Sequence, residues 1–361
     1  MRFRVLGTRP DGAFGTSWNR WNPWNPCDTV FPEVSVKKIV LVAASVLLVW
    51  SPTPAVAQAP DTFDLKEWDV EWGGRTRDPY VAPDGKVWFV GQAGNYIAYL
   101  DPATGQQKRF EIEAGTNPHT LIVDAEGMVW YAGNRNGRIG KLNPATGEIK
   151  TIMTGEAKDP HTMVFDGKGN IWFTSQGSNR VGRLNMTTEK VDLVVPNDTP
   201  SNPYGIVMHN GAPYIALLRT NTIAKVDPAT LAVTKFKYAN EGSRSRRLDV
   251  LPDGTAWYGD EARGYIGRIN LATGEAKEWA APGGAESRPY AMTRDDQGRI
   301  WFTETGPAKR LIGFDPKTEK FFANIEVSGT IRHMYFDNKT RMMWFGTDAN
   351  KVGRIALQKA R

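Results

Sequence analysis

Apolar and polar residues alternate with a period of two over short runs along most of this chain, as in Ile171-Trp172-Phe173-Thr174 and Val181-Gly182-Arg183-Leu184. That is the signature of β-strands with one face buried, and no run keeps a helical period over 10–12 residues. The runs are separated by turn clusters at corresponding places: Pro83-Asp84-Gly85, Asp124-Ala125-Glu126-Gly127, Asp166-Gly167-Lys168-Gly169, Pro252-Asp253-Gly254 and Asp295-Asp296-Gln297-Gly298. A second set reads Asp101-Pro102-Ala103-Thr104-Gly105, Asn143-Pro144-Ala145-Thr146-Gly147 and Asp227-Pro228-Ala229-Thr230. Glycine supplies positive φ, proline presets φ and aspartate caps its own backbone, so both sets predict hairpin turns.

The pattern itself repeats. Its aromatic landmarks are Trp88, Trp130, Trp172, Tyr214, Trp257, Trp301 and Trp344, at spacings of 42, 42, 42, 43, 44 and 43 residues. Units of this length with about four antiparallel strands each predict radial stacking, and seven units predict an all-β, seven-bladed β-propeller. The last unit ends at Val352–Leu357, which matches a third strand with no fourth after it. Thr62–Trp72 alternates like the outer strand Glu148–Thr154. It is therefore expected to supply the missing strand of the last blade and to pair the two open edges of the ring.

Residues 1–35 fit no repeat, which suggests disorder or a translation start placed too early. Residues 36–57 read as a secretory signal: Lys37-Lys38, the apolar Ile39–Trp50, then small residues favouring cleavage after Ala57. The apolar run is too short to span a membrane. The expected mature protein is one propeller over residues 58–361, periplasmic or secreted. Cys27, the only cysteine, precedes it, so disulfides, thiolate-bound zinc and thiol nucleophiles are excluded from the mature chain. The formal charge of +6 falls to +3 once residues 1–57 are removed, too mild and too evenly spread for a nucleic-acid partner.

Three of the four histidines, His119, His161 and His333, fall at one ring position counted outward from the hairpin turn. Counting outward from the hairpin turn places His161 opposite Ser175. The same count gives two rings around one mouth of the central channel. The first is Tyr80, His119, His161, Tyr204, Arg247, Tyr290 and His333; the second is Gly91, Gly133, Ser175, Leu217, Asp260, Glu304 and Thr347. Histidine is the natural general base near neutral pH. Asp159, Asp260, Glu261, Glu304 and Asp348 add oxygen ligands near the rim, which suit Mg²⁺ or Ca²⁺. Alternatively these acids pair with Arg246, Arg247 and Arg332. No phosphate-binding loop, dinucleotide-binding glycine motif or nucleophile elbow stands in a credible context.

The units Pro160-His161-Thr162, Asn170-Ile171-Trp172-Phe173-Thr174-Ser175 and Asn179-Arg180-Val181-Gly182-Arg183-Leu184 resemble those of the virginiamycin B lyase (streptogramin B lyase) family, over roughly residues 62–357. The resemblance implies a seven-bladed propeller that opens the ester-closed ring of a cyclic depsipeptide antibiotic by Mg²⁺-dependent elimination, without water. It implies that His161 is the proton acceptor, Asp159 a metal ligand and His119 a substrate contact. The position of the second metal-binding acid is occupied by the neutral Gln176, and the family's first acid, a glutamate, is here the shorter Asp159. A second frame pairs His333 with Asp348, but Ile331 replaces its first ligand. Tyr204, Arg247, Tyr290 and His333 are further expected substrate contacts, with Arg247 or Tyr204 holding carbonyl oxygens.

The expectation is an exported, monomeric, lyase-like propeller with a small-molecule or cyclic-peptide ligand at the channel mouth. The alternative is a non-catalytic propeller binding a peptide, glycan or protein partner there, which the neutral Gln176 favours. A Ca²⁺-dependent lactonase of the gluconolactonase type would need a more acidic channel. Fold does not decide between these readings.

Overall fold

A computed structural model describes residues 63–357; the expected leader at residues 36–57 and the single cysteine lie outside them. The described residues form seven four-stranded antiparallel sheets. Six blades are consecutive: Thr76–Glu111, Pro118–Met153, Pro160–Val194, Pro203–Lys237, Ser245–Ala280 and Pro289–Glu326. The seventh joins three strands within Ile331–Leu357 to Phe63–Asp69. In each consecutive blade the strands run from innermost to outermost in chain order, so the first strand of every repeat lines the channel.

The clasp has the expected partners. Phe63–Asp69 pairs antiparallel with Lys351–Leu357, in a register running from Phe63 opposite Leu357 to Asp69 opposite Lys351. Trp68 stacks on Trp344 with centroids 5.7 Å apart, and Arg354 reaches Asp64 at 3.0 Å. The strand thus covers the edge that the last repeat leaves open.

The repeat motif has a packing cause. In blade 3 Trp172 is fully buried in the contact with blade 4, among Val181, Ile206, Ile215 and Leu217. Phe173, next along the strand, points to the other face of the sheet and packs towards blade 2 with Trp130 and Ile139. Gly182 stands directly opposite Phe173 in the ladder, and a Cβ there would lie inside the Phe173 ring. The adjacent Arg183 lays its guanidinium over Trp172 at 5.5 Å. The aromatic pair and the glycine-arginine pair are therefore one device on two strands. It recurs in Tyr131 with Gly140, Tyr258 with Gly267 and Phe345 with Gly353. In the turns, Asp124 and Asp295 accept the indole N–H of Trp130 and Trp301 at 2.8 and 3.0 Å, which explains an acid in a hairpin beneath a tryptophan.

Candidate active site

All seven innermost strands break register near the channel mouth, each with two residues opposite one on the next strand. In blade 3, Pro160 pairs with Ser175 and Met163 with Phe173, leaving His161 and Thr162 in a bulge. Bulges of this kind re-aim side chains at the rims of closed sheets. The second ring expected from the sequence is in register, but it faces the residue before the histidine rather than the histidine itself.

The bulges correct the first ring in three blades. The pairing of Thr76 with Gly91 matches that of Pro160 with Ser175, so Arg77 stands at the His161 position and Asp78 at the Thr162 position, while Tyr80 lies deeper. Arg246, not Arg247, is the His161 equivalent in blade 5, and Arg332, not His333, in blade 7. Arg247 and His333 occupy the inner bulge position instead.

The mouth brings His119, His161, Tyr204, Tyr290 and Arg247 together. The imidazoles of His119 and His161 overlap with centroids 3.4 Å apart, and Tyr204 lies 4.2 Å beyond His161. The Tyr204 and Tyr290 hydroxyls are hydrogen-bonded to each other, and Arg246 spans both rings at 5.1 and 5.0 Å. His161 is 2% exposed. Its Nδ1 is 2.9 Å from Thr162 Oγ1, and its Nε2 has no hydrogen-bond partner among the described residues.

Beneath the histidines an ion cluster crosses the channel. Arg247 donates from Nη2 to Asp78 at 3.0 Å, from Nη1 to Thr162 Oγ1 at 3.1 Å and from Nε to the Arg332 carbonyl at 3.3 Å, joining blade 5 to blades 1, 3 and 7. Thr120 donates to the same Asp78 oxygen at 2.6 Å, and Arg77 Nε is 3.4 Å from the other. Asp78 is held at a φ of 40°, a region costly for a residue with a Cβ. Burial alone would raise its carboxyl pKa, but Arg77 and Arg247 overcome this and hold it far below the usual carboxylate range.

The same environment keeps the imidazoles neutral. Burial first, then Arg247 and Arg77, push His161 well below the ordinary histidine value, against a smaller opposing pull from Asp78. Burial, Arg77 and the neighbouring His161 do the same to His119. Burial and Arg247 lower His333 to about 4. In the tautomer whose Nδ1–H donates to Thr162 Oγ1, His161 keeps a lone pair on Nε2, the arrangement a general base requires; in the other tautomer the Thr162 hydroxyl donates to Nδ1.

The acids tell a different story from the histidines. Asp159 accepts from Ser175 Oγ at 2.6 Å, from Ser178 N at 3.0 Å, from Ser178 Oγ at 2.7 Å and from the Gly177 amide. Its carboxylate is the cap of the loop that contains Gln176, and Gln176 joins no acid cluster. Asp348 accepts from Thr330 N at 2.7 Å and pairs with Arg332, Glu261 pairs with Arg246, Asp260 with Arg263, and Glu304 with Gly283 N and Arg310. Among the described residues no three His, Cys, Asp or Glu side chains converge as metal ligands. The donor set therefore does not fit Mg²⁺ or Ca²⁺: each rim acid is already engaged by a cation or by backbone amides.

Sequence reasoning missed Arg77 and Asp78. Asp78-Pro79-Tyr80 mimics Asp159-Pro160-His161, yet Pro79 precedes its landmark tryptophan by 9 residues and Pro160 by 12. Counting from the tryptophan would have found Arg77.

With this geometry in place, comparison with known proteins is direct. A comparison with curated proteins gives no match. Among solved structures, a streptogramin B lyase superposes with a TM-score of 0.74 at 24% identity, covering 82% of this chain and 98% of that one. Selenomethionine-substituted virginiamycin B lyase from Staphylococcus aureus gives 0.74 at 23%, covering 82% and 100%. A catalytically inactive histidine-to-alanine variant of that enzyme, solved with quinupristin, gives the same values. These likenesses show the seven-bladed fold. The model of the virginiamycin B lyase family matches residues 74–201 and 192–360, and the chain belongs to that family.

Proposed function

We propose that this protein is a carbon–oxygen lyase that opens a cyclic ester, of the cyclic depsipeptide kind, with His161 as the base. The observation that carries the reading is the stacked imidazole pair held neutral beside guanidinium groups, with His161 Nε2 unpartnered at the mouth. Nε2 takes the proton from the carbon next to a carbonyl. The electron pair left on that carbon forms a carbon–carbon double bond to the neighbouring carbon. The ester C–O bond there breaks, and the carboxylate leaves with its electrons. No water is consumed.

Each surrounding residue has a part. Thr162 fixes the ring of His161 and is itself fixed by Arg247. The positive field of Arg77 and Arg247 stabilises negative charge developing on the substrate carbonyl. His119, Tyr204 and Tyr290 form an aromatic wall against which a ring or side chain packs. No step runs through a metal, because Asp159 and Gln176 do not form a site for one. The leader pattern at residues 36–57 supports export as part of the same proposal.

The test is incubation of the purified protein with a streptogramin B-type depsipeptide, followed by mass spectrometry. Elimination gives a linear product of unchanged mass with a new conjugated double bond, and His161→Ala is expected to lose this by at least about a hundredfold. A product heavier by one water, or full activity in His161→Ala, would overturn the reading.

A further inference from the structure

The Asp78–Arg247 cluster divides the channel. On its other side a chamber of about 350 Å³ runs from Thr120 and Thr162, at the level of the cluster, to Asn338 in the hairpin turn of blade 7. Its volume lies in the range of small-ligand sites. Its walls carry apolar side chains, Ile122, Met163, Val164, Val207, Met292 and Phe336 among them, beside the polar Asp249, Thr293, Arg294 and Asp295. Tyr80 and Tyr335, whose rings are 4.5 Å apart, complete one side.

Its inner end is polar and short of partners. His333 lines the chamber rather than the histidine mouth, and its buried Nδ1 has no hydrogen-bond partner among the described residues. Directly behind Thr120 and Thr162 lie two guanidiniums, Arg77 and Arg247, against one carboxylate, Asp78. Arg77 is 6% exposed and holds its Nε 3.4 Å from Asp78 Oδ1, behind the chamber rather than on its wall. Two buried guanidiniums sharing one carboxylate leave a positive excess, which favours an anion nearby. The other charges on the wall cancel: Asp249 pairs with Arg294 at 3.1 Å and Asp295 with Arg299 at 2.7 Å.

We infer that this chamber is a second binding site, distinct from the histidine mouth, for a small monocarboxylate with an apolar body. The carboxylate sits at the inner end against His333 Nδ1–H and the Thr162 hydroxyl, in the field of Arg77 and Arg247. The body, an aromatic or branched aliphatic group, fills the space between Val164, Met292 and Phe336. The ligand enters from the hairpin-turn face, so it does not compete with a substrate at His161.

The test is isothermal titration of the purified protein with 2-naphthoate and, separately, with its uncharged methyl ester. Saturable binding of the acid is expected, with the ester weaker by about tenfold or more, because a charge-assisted hydrogen bond is lost. His333→Ala is expected to weaken the acid by a similar factor while leaving the ester unchanged. Val164→Trp, which fills the chamber, is expected to abolish binding of both, with its circular dichroism spectrum and cooperative melt confirming the fold. His161→Ala is expected to bind as the parent does, which separates this site from the proposed catalytic one. Equal affinity for acid and ester, no saturable binding, or loss of binding in His161→Ala but not in Val164→Trp would overturn the inference.

Discussion

Blades 1 and 3 present the same strand to the channel and opposite chemistry. Where blade 3 places His161 and Thr162, blade 1 places Arg77 and Asp78. Blade 3 offers a neutral ring with a free nitrogen; blade 1 offers a buried ion pair that meets Arg247 from across the channel. Both blades are four-stranded antiparallel sheets, and the difference lies at the register break of the inner strand, which leaves out His161 and Thr162 in blade 3 and Asp78 and Pro79, next to the paired Arg77, in blade 1. A propeller can vary those bulge positions independently because the ladders on either side do not change. The charged blade sets the state of the neutral one: Arg77 and Arg247 help keep His161 unprotonated.

Removing the charge from blade 1 is the strongest way to break that relation. Asp78→Ala leaves Arg77 and Arg247 buried without their shared partner, and urea unfolding is expected to show a loss of about 3–5 kcal/mol. The matching change in blade 3, Thr162→Val, removes only neutral hydrogen bonds and one contact to Arg247, and about 1–2 kcal/mol is expected. Equal losses would mean that the cluster does not depend on the carboxylate.

Acid sharpens the comparison next. The folded-state pKa values of His119, His161 and His333 lie below the ordinary value, so on acidification the unfolded chain takes up protons that the folded one refuses. Stability is then expected to fall as pH drops below 6.5. His333 alone, lowered to about 4, contributes roughly 3 kcal/mol of that loss across the interval. Denaturant melts at a series of pH values measure it; a flat profile from 6.5 to 5 would show histidines that titrate normally in the fold.

The smallest effect separates a loop cap from a metal ligand. Asp159→Asn keeps the shape but loses charge-assisted bonds to the loop at Ser175–Ser178, at a cost of about 1–2 kcal/mol. Mg²⁺ titration heats are expected to be unchanged by the substitution. A saturable Mg²⁺ signal that disappears in Asp159→Asn would restore the carboxylate as a ligand.

The fold was legible because its causes are local and repeated. The tryptophan spacing, the glycine opposite Phe173 and the turn aspartates each follow from contacts within one blade or with the next. The clasp was legible because a strand is absent at one end of the repeat array and present at the other. The site was legible only in part. His119, His161, Tyr204 and Tyr290 come together as their shared spacing implies. Arg77 and Asp78 were hidden by a Pro-Tyr pair that imitates the motif, and the bulge moved Arg247 and His333 one residue inward, which strand arithmetic cannot foresee. The bonding of Asp159 was equally invisible, because the loop amides that engage it carry no sequence signal beyond small residues.

The central claim is that His161 works as a neutral base under the influence of the blade 1 ion pair. The pH dependence of kcat/KM for depsipeptide ring opening tests it most directly. The account predicts that activity holds through pH 6.5 and declines only well to the acid side, because the base is protonated below the ordinary imidazole range. It also predicts that Asp78→Asn shifts the acid limb to still lower pH, since the Asp78 charge is what pulls the His161 pKa upward against burial and the guanidinium groups. An acid limb at the ordinary histidine value, or no ring opening at any pH, would contradict it.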